Sequence, residues 1–114
     1  MASDEFTLYL CDRLRPLGPL QVRRMFSGHG LFQEGAMFGL VLDEVLYLKA
    51  DAGNLPLFQA RGMEPFVYQR QGRPVRLSFL APDAEAMEDD QTLLALARLA
   101  LAAAHRARAG SRTP

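Results

Sequence analysis

The chain has 114 residues, of which 49% are apolar and 23% are charged, a composition that fits one globular domain and excludes a disordered or fibrous chain. Its 13 basic residues balance its 13 acidic residues, whereas a dedicated nucleic-acid-binding domain is expected to be strongly basic. Cys11 is the one cysteine, which excludes an intrachain disulfide and a zinc site built from cysteines.

The N-terminal part of the chain has the pattern of a helix over residues 3–14. Ser3 suits the N-cap position, and Phe6, Leu10 and Leu14 recur every fourth residue. The helix should end before Pro16, because the residue before a proline is pushed out of the helical region. The first residues are acidic rather than basic, which argues against a secretory signal. No run of about 18 apolar residues exists, so we expect a cytoplasmic protein without a membrane span.

Short apolar runs separated by turn residues then predict a four-stranded meander. The strands are expected at residues 22–26, 31–32, 37–42 and 45–49. The run Ser27-Gly28-His29-Gly30 favours a bulge or tight turn, and Asp43-Glu44 has the spacing of a two-residue hairpin turn.

A short helix and a second hairpin are predicted to follow. Asn54 is placed to cap a helix over residues 55–61, and Gly62 suits the left-handed position after its end. Strands over residues 66–70 and 74–80 bracket Gln71-Gly72-Arg73. Alternation of apolar residues with Arg76 and Ser78 indicates that one face of this hairpin is exposed to water.

The last part of the chain predicts a long helix that lies on the sheet. Acidic residues between 83 and 90 precede an alanine- and leucine-rich segment that reaches residue 109, with basic residues toward its end, as the helix dipole favours. One apolar stripe is expected to face the sheet, namely Leu93, Leu96, Ala97, Ala100, Leu101 and Ala104.

The predicted fold is therefore α+β, with two layers. An antiparallel sheet, made of a meander of about four strands plus a second hairpin, is flanked by N-terminal, short central and C-terminal helices. We expect a single domain over residues 1–114, ordered from about 3 to 109, with residues 110–114 as a flexible tail.

Groups suited to catalysis are scarce. His29 and His105 fall in different elements without the carboxylate spacing of a metal pair, and Cys11 lies among apolar neighbours, as a buried structural cysteine does. No phosphate-binding or dinucleotide-binding glycine motif is present. We therefore expect no catalytic residue, no metal and no cofactor, and we expect that the protein is not an enzyme.

Two groups of arginines are candidate binding sites. The first group surrounds Phe66 and Tyr68 and could grip phosphates or stack on bases, although a solvated sheet edge has the same pattern; its members are Arg61, Arg70, Arg73 and Arg76. The second group places Arg23 and Arg24 beside His29, where guanidinium groups and turn N–H groups could converge on an anion.

The sequence also carries a long ordered signature. It runs through Val22-Arg23-Arg24-Met25-Phe26-Ser27-Gly28-His29-Gly30-Leu31-Phe32, Gly35-Ala36-Met37-Phe38-Gly39-Leu40 and Leu46-Tyr47-Leu48-Lys49-Ala50-Asp51 and continues through Phe58, Gly62, Pro65-Phe66, Tyr68, Pro82 and Asp89. In this signature the chain resembles the N-terminal domain of the TfoX/Sxy competence regulators. The resemblance implies an α+β domain and a bacterial regulatory role, in which full-length members help a separate cyclic-AMP receptor protein to act at promoters. It supplies no catalytic residues.

These observations favour a regulatory adaptor domain that acts through protein contacts. Because the sequence ends after the final helix of the domain, we expect a stand-alone N-terminal domain. The partner is expected to be a transcription factor or another protein. The alternatives are direct nucleic-acid binding through the arginine-rich hairpin and binding of a small anion or other ligand. Exposed edge strands are compatible with a monomer or a homodimer.

Overall fold

The structure, a computed structural model, describes residues 2–25 and 27–111 of the chain. A short 3₁₀ helix at Arg15–Leu17 follows the first helix. The helices and strands of the described residues are α1 (Ala2–Arg13), β1 (Gln21–Met25), β2 (Gly28–Gln33), β3 (Ala36–Leu42), β4 (Val45–Lys49), α2 (Leu55–Ala60), β5 (Glu64–Arg70), β6 (Arg73–Ala81), α3 (Ala84–Glu88) and α4 (Asp90–Ser111).

The six strands form one open antiparallel sheet in the order β1-β2-β3-β4-β6-β5. The first four strands are a meander, and the β5-β6 hairpin joins it through two residue pairs between β4 and β6. Two-residue turns close the hairpins at Asp43-Glu44 and at Gln71-Gly72, where all four residues have positive φ. The predicted α+β fold, with its meander and second hairpin, is confirmed.

All four helices contribute to one hydrophobic core on one face of the sheet. Leu10 of α1, Phe38 of β3, Phe58 of α2 and Leu93 of α4 are fully buried there. Burial of an apolar side chain of this size contributes about 1.5–3 kcal/mol to folding. The protein therefore has two layers, as predicted.

Helix α4 covers the sheet with the apolar stripe that the sequence indicates. Leu93, Leu96, Ala97, Ala100 and Ala104 are buried, and Leu101 is partly buried against the same core. Small alanine side chains allow the helix to lie close to the strands. The helix runs to Ser111, two residues beyond its predicted end, and residues 112–114 of the predicted tail lie outside the described residues.

A smaller apolar cluster lies on the opposite face of the sheet. Leu40, Leu42 and Phe79 form its buried part. They point away from the helices because side chains alternate along a strand, and their neighbours Val41 and Leu80 belong to the main core. The face without helices therefore has an apolar centre of its own.

The β5-β6 hairpin bends where its two strands pair irregularly. From Leu80 to Arg76 the chain of β6 advances four residues, while β5 advances only two, from Pro65 to Val67. Extra residues of this kind bend a strand and increase its twist. At the bend, Phe66 and Leu77 pack against the smaller cluster, so the hairpin is an arm on the face that lacks helices.

The predicted turn at Ser27 to Gly30 is wrong. Met25 pairs with Gly28, so the turn comes earlier, and His29 lies inside β2. Gly28 is required by close approach rather than by a turn, because a Cβ on it would lie 1.9 Å from the carbonyl oxygen of Val41. Phe26, the predicted last residue of the first strand, lies outside the described residues.

Two helix starts differ from the prediction. Helix α1 begins at Ala2, before the predicted N-cap Ser3. Helix α2 begins at Leu55 after the N-cap residue Asn54, as predicted, but the Asn54 side chain makes no capping hydrogen bond. The acidic stretch does not begin one long helix but forms α3, after which Asp89 is extended and its carboxylate accepts a hydrogen bond of 2.9 Å from the N–H of Thr92 at the start of α4.

Candidate binding surface

The three residues of the predicted anion site do not converge. His29 is almost fully buried between β2 and α1, where its Nδ1 lies 3.1 Å from Thr7 Oγ1. Arg24 pairs directly with His29 and therefore lies on that same face of the sheet. Arg23 lies on the other face, where its guanidinium stacks 4.6 Å from the centre of the Phe32 ring. Arg23 and Arg24 thus point to opposite sides of β1.

Arg61 is held in an ion pair at the end of α2. Its Nε and Nη2 donate hydrogen bonds of 2.8 and 2.9 Å to the carboxylate of Asp83, and Nη2 lies 3.3 Å from Glu85. The Arg61 guanidinium lowers the pKa of Asp83. This bidentate pair fixes the segment before α3 against α2, so the structure gives Arg61 a structural contact apart from the hairpin arginines.

Arg70 and Arg73 face each other across the end of the hairpin. They are directly paired residues, so their side chains lie on the same face, and both are exposed. Neither has an ion-pair partner among the residues that the structure describes. Like charges directly opposite each other destabilise a sheet. The hairpin therefore carries an unneutralised pair of positive charges.

Aromatic side chains follow this arginine pair along the same face. Tyr68 is half-buried and stacks on Phe66, with ring centres 6.1 Å apart, and Phe66 meets Tyr47 edge-on at 5.2 Å. Burial, and then the charge of Asp43, raise the pKa of the Tyr47 hydroxyl above its ordinary value.

A cavity of about 250 Å³ opens beside these rings. It is bounded by Ser27, Leu40, Leu42, Phe66, Tyr68 and Leu77. We define the arm face as Tyr47, Phe66, Tyr68, Leu77, Arg70 and Arg73. It combines a concave apolar centre with a cationic end, the residue types that are enriched at protein interfaces.

Arg76 does not belong to the arm face. It pairs with Val67 and lies on the opposite side of the hairpin from Tyr68 and Arg70. There it borders a larger groove of about 490 Å³ beside α2. The four arginines that the sequence groups together are thus divided by the fold into the pair Arg70 and Arg73, the separate Arg76 and the ion-paired Arg61.

Several other ionisable groups, among them Cys11, His105 and Asp51, have structural contacts. Burial raises the pKa of the Cys11 thiol, which disfavours its reactive thiolate form. His105 Nε2 donates a hydrogen bond of 3.2 Å to Gln33 Oε1. The Arg106 guanidinium lowers the pKa of Asp51. Within residues 2–25 and 27–111, no group of three or more His, Cys, Asp or Glu side chains could hold a metal ion.

Sequence reasoning missed two parts of this surface. Tyr47 and the cavity residues Leu40 and Leu42 belong to the meander, and only the bend of the hairpin brings them beside Phe66. The sequence of β3 could have indicated this surface. It is a run of apolar residues without alternation, and both faces of a strand of that kind are covered.

The fold and the surface define a class of protein: a small α+β domain in which a helix-covered sheet supports an arm with aromatic and arginine side chains. A family model described as the TfoX N-terminal domain matches residues 12–104. The chain belongs to the TfoX N-terminal domain family, which confirms the resemblance seen in the sequence. A comparison with curated proteins found no match. None of the helices among the described residues is both long and apolar enough to cross a membrane.

Proposed function

We propose that the protein is a non-enzymatic adaptor of transcription regulation that binds an acidic surface of a protein partner with its arm face. Family membership supports a domain of the competence-regulator kind. The observation that carries the proposal is the unneutralised pair Arg70 and Arg73, next to the aromatic rings and the cavity. A sheet that keeps two like charges opposite each other loses stability, and a carboxylate on a partner removes that cost.

The chemistry of the arm face supports binding rather than catalysis. Tyr68 and Phe66 present large rigid surfaces at the edge of a cavity, and arginine and tyrosine are the residues that most often dominate the free energy of protein association. The residues best suited to proton transfer or nucleophilic attack lie away from this surface. His29 contacts α1, and Cys11 is part of α1.

The test is affinity capture from the host with the wild-type domain and with the double variant Arg70→Glu and Arg73→Glu. A double variant Arg15→Glu and Arg98→Glu is the control, because both residues are exposed on the helical layer and the charge change is the same. We expect a transcription factor or polymerase subunit with wild type and control, and its loss with the arm variant.

The outcomes separate the proposal from its alternatives. Equal recovery with the wild type and the arm variant, or no reproducible protein with either, contradicts the adaptor proposal. Capture that nuclease treatment abolishes and that falls steeply with salt would favour nucleic-acid binding instead, since phosphate contacts release counterions.

A further inference from the structure

The edge of β6 that faces away from β5 is only partly paired. Strand β6 spans Arg73–Ala81, but β4 pairs with it only at Leu80 and Phe79, followed by one hydrogen bond of 2.8 Å from Ala50 N–H to Ser78 carbonyl. Along residues 73–77, no described strand pairs with this edge. An unpaired edge is a template for another strand.

Alternation along the strand identifies the backbone groups at this edge. The Ser78 carbonyl points toward β4, so the N–H and C=O of Arg76 point the same way, while Arg73 and Val75 bond to β5. Pro74 supports this assignment. It has no N–H, and the same alternation places its nitrogen at the unpaired edge, one of the few positions where a sheet tolerates proline.

After β4, the chain turns away from the open edge of β6 through a turn that is held by side-chain hydrogen bonds. Asn54 is 2% exposed, its Oδ1 accepts a hydrogen bond from the N–H of Asp51, and its Nδ2 donates to the carbonyls of Lys49 and Leu99. The carboxylate of Asp51 is in turn held by Arg106 at 2.7 and 2.9 Å. These contacts tie the end of β4 to α4 and keep it away from residues 73–77.

The space left between β6 and α2 is the groove of about 490 Å³ that Arg76 borders. Leu55, Met63, Pro65 and Leu80 supply apolar side chains to its lining. A pocket of this size can receive the side chains that project from one face of an extended strand.

The charge around the groove favours an anionic segment. Arg76 is exposed and has no ion-pair partner among the described residues, whereas the one acidic residue of the lining, Asp51, is already neutralised by Arg106. The uncompensated charge of the groove is therefore positive.

We propose that this groove binds an extended peptide segment of a protein partner, in which apolar residues alternate with acidic residues, by adding it as a strand to β6. Backbone hydrogen bonds to Arg76 hold the segment, its apolar side chains enter the groove, and a carboxylate pairs with the Arg76 guanidinium. Arg76 lies on the opposite side of the hairpin from Arg70 and Arg73, although Leu77 lines both the groove and the cavity of the arm face.

The test is selection of random linear peptides on the immobilised domain, followed by affinity measurements with the enriched sequences. We expect enrichment of alternating apolar and acidic residues. N-methylation of the peptide nitrogen that bonds to Arg76 should weaken binding about tenfold, the equivalent of about one hydrogen bond. Arg76→Glu should weaken binding at least as much, and Arg76→Pro should do so by removing the N–H at the edge.

Arg98→Glu is the matched control, because it makes the same charge change at an exposed position of α4 that does not line the groove. The proposal is overturned if no peptide family is enriched, if N-methylated peptides bind as well as the parent peptides, or if Arg98→Glu weakens binding as much as Arg76→Glu. A homodimer in sedimentation that Arg76→Pro dissociates would also overturn it, since a second copy would then occupy the edge. Arg76→Glu and the methylated peptides decide the matter even if Arg76→Pro does not fold.

Discussion

The helix-covered meander and the β5-β6 arm are built from the same kinds of strand but use their side chains differently. In the meander, the helix-facing side chains Leu31, Phe38, Leu46 and Leu48 are all essentially buried. In the arm beyond its bend, the residues are mostly exposed, and like charges stand opposite each other at its end. Stability therefore resides in the meander and its helices, whereas the arm carries residues that cost stability and that the proposed function would use for binding.

Truncation of a large side chain in each region should give the largest contrast. Phe38→Ala empties a fully buried position and should cost about 3–5 kcal/mol in the free energy of unfolding. Phe66→Ala removes a half-buried ring of the arm and should cost less than half as much. Denaturant titration of both variants measures the difference, and equal losses would refute the division between the two regions.

The buried Asn54 should give the next largest effect. Asn54→Ala leaves the Asp51 N–H and the carbonyls of Lys49 and Leu99 without their side-chain partner. An unsatisfied buried group costs about 1–3 kcal/mol, so the thermal midpoint should fall clearly. Gln59→Ala is a control on the neighbouring exposed helix surface and should change little. A variant Asn54→Ala with unchanged stability would show that these hydrogen bonds do not hold the end of β4.

Removing a glycine from a left-handed position in one hairpin turn and introducing one in the other should change the free energy of unfolding in opposite directions. Gly72 has φ of 77°, so Gly72→Ala should destabilise the arm by about 1 kcal/mol. Glu44 has φ of 59° in the meander turn, so Glu44→Gly should relieve strain and stabilise the protein by up to about 1 kcal/mol. Chemical denaturation checks both values. Changes of the same sign would contradict the turn conformations.

The smallest effect is expected from the ion pair of Arg61 and Asp83 as the pH falls. Arg61 lowers the pKa of Asp83 in the folded state, so the pair stabilises the protein above the unfolded carboxyl pKa of about 3.9 and loses its contribution as the pH falls through the lower folded value. Melting temperatures of wild type and Asp83→Asn should therefore differ at neutral pH and converge in acid. A constant difference across this range would exclude the pair as the cause.

Much of the fold could be predicted because local patterns and packing agree. The Asp43-Glu44 turn, the stripe of α4 and the left-handed Gly62 follow from spacing and residue type alone. The position of His29 could not be predicted in this way. Glycines on both sides of it are typical of a turn, but Gly28 is required by the close approach of Val41 on a neighbouring strand.

The candidate surface was predictable only in part. The hairpin sequence places arginines beside aromatic residues. Once the register is known, the alternation of side chains places Arg76 on the opposite face from Arg70 and Arg73. The pairing of Arg61 with Asp83 joins residues 22 positions apart in the chain, and the cavity joins β3 to the arm. Contacts of this kind join segments that are distant in the chain, and the cavity also depends on the bend of the hairpin, so no local pattern encodes them.

The variant Tyr68→Ala separates the stabilising scaffold from the proposed binding arm, when partner retention and unfolding free energy are measured on the same sample. Tyr68 borders the cavity but lies outside the main core. We expect a loss of about 2 kcal/mol in partner binding, roughly 30-fold in affinity, as for a central aromatic of an interface, with a much smaller change in stability. Unchanged partner retention, or a loss of stability as large as that of Phe38→Ala, would show that Tyr68 is not a binding residue of the arm.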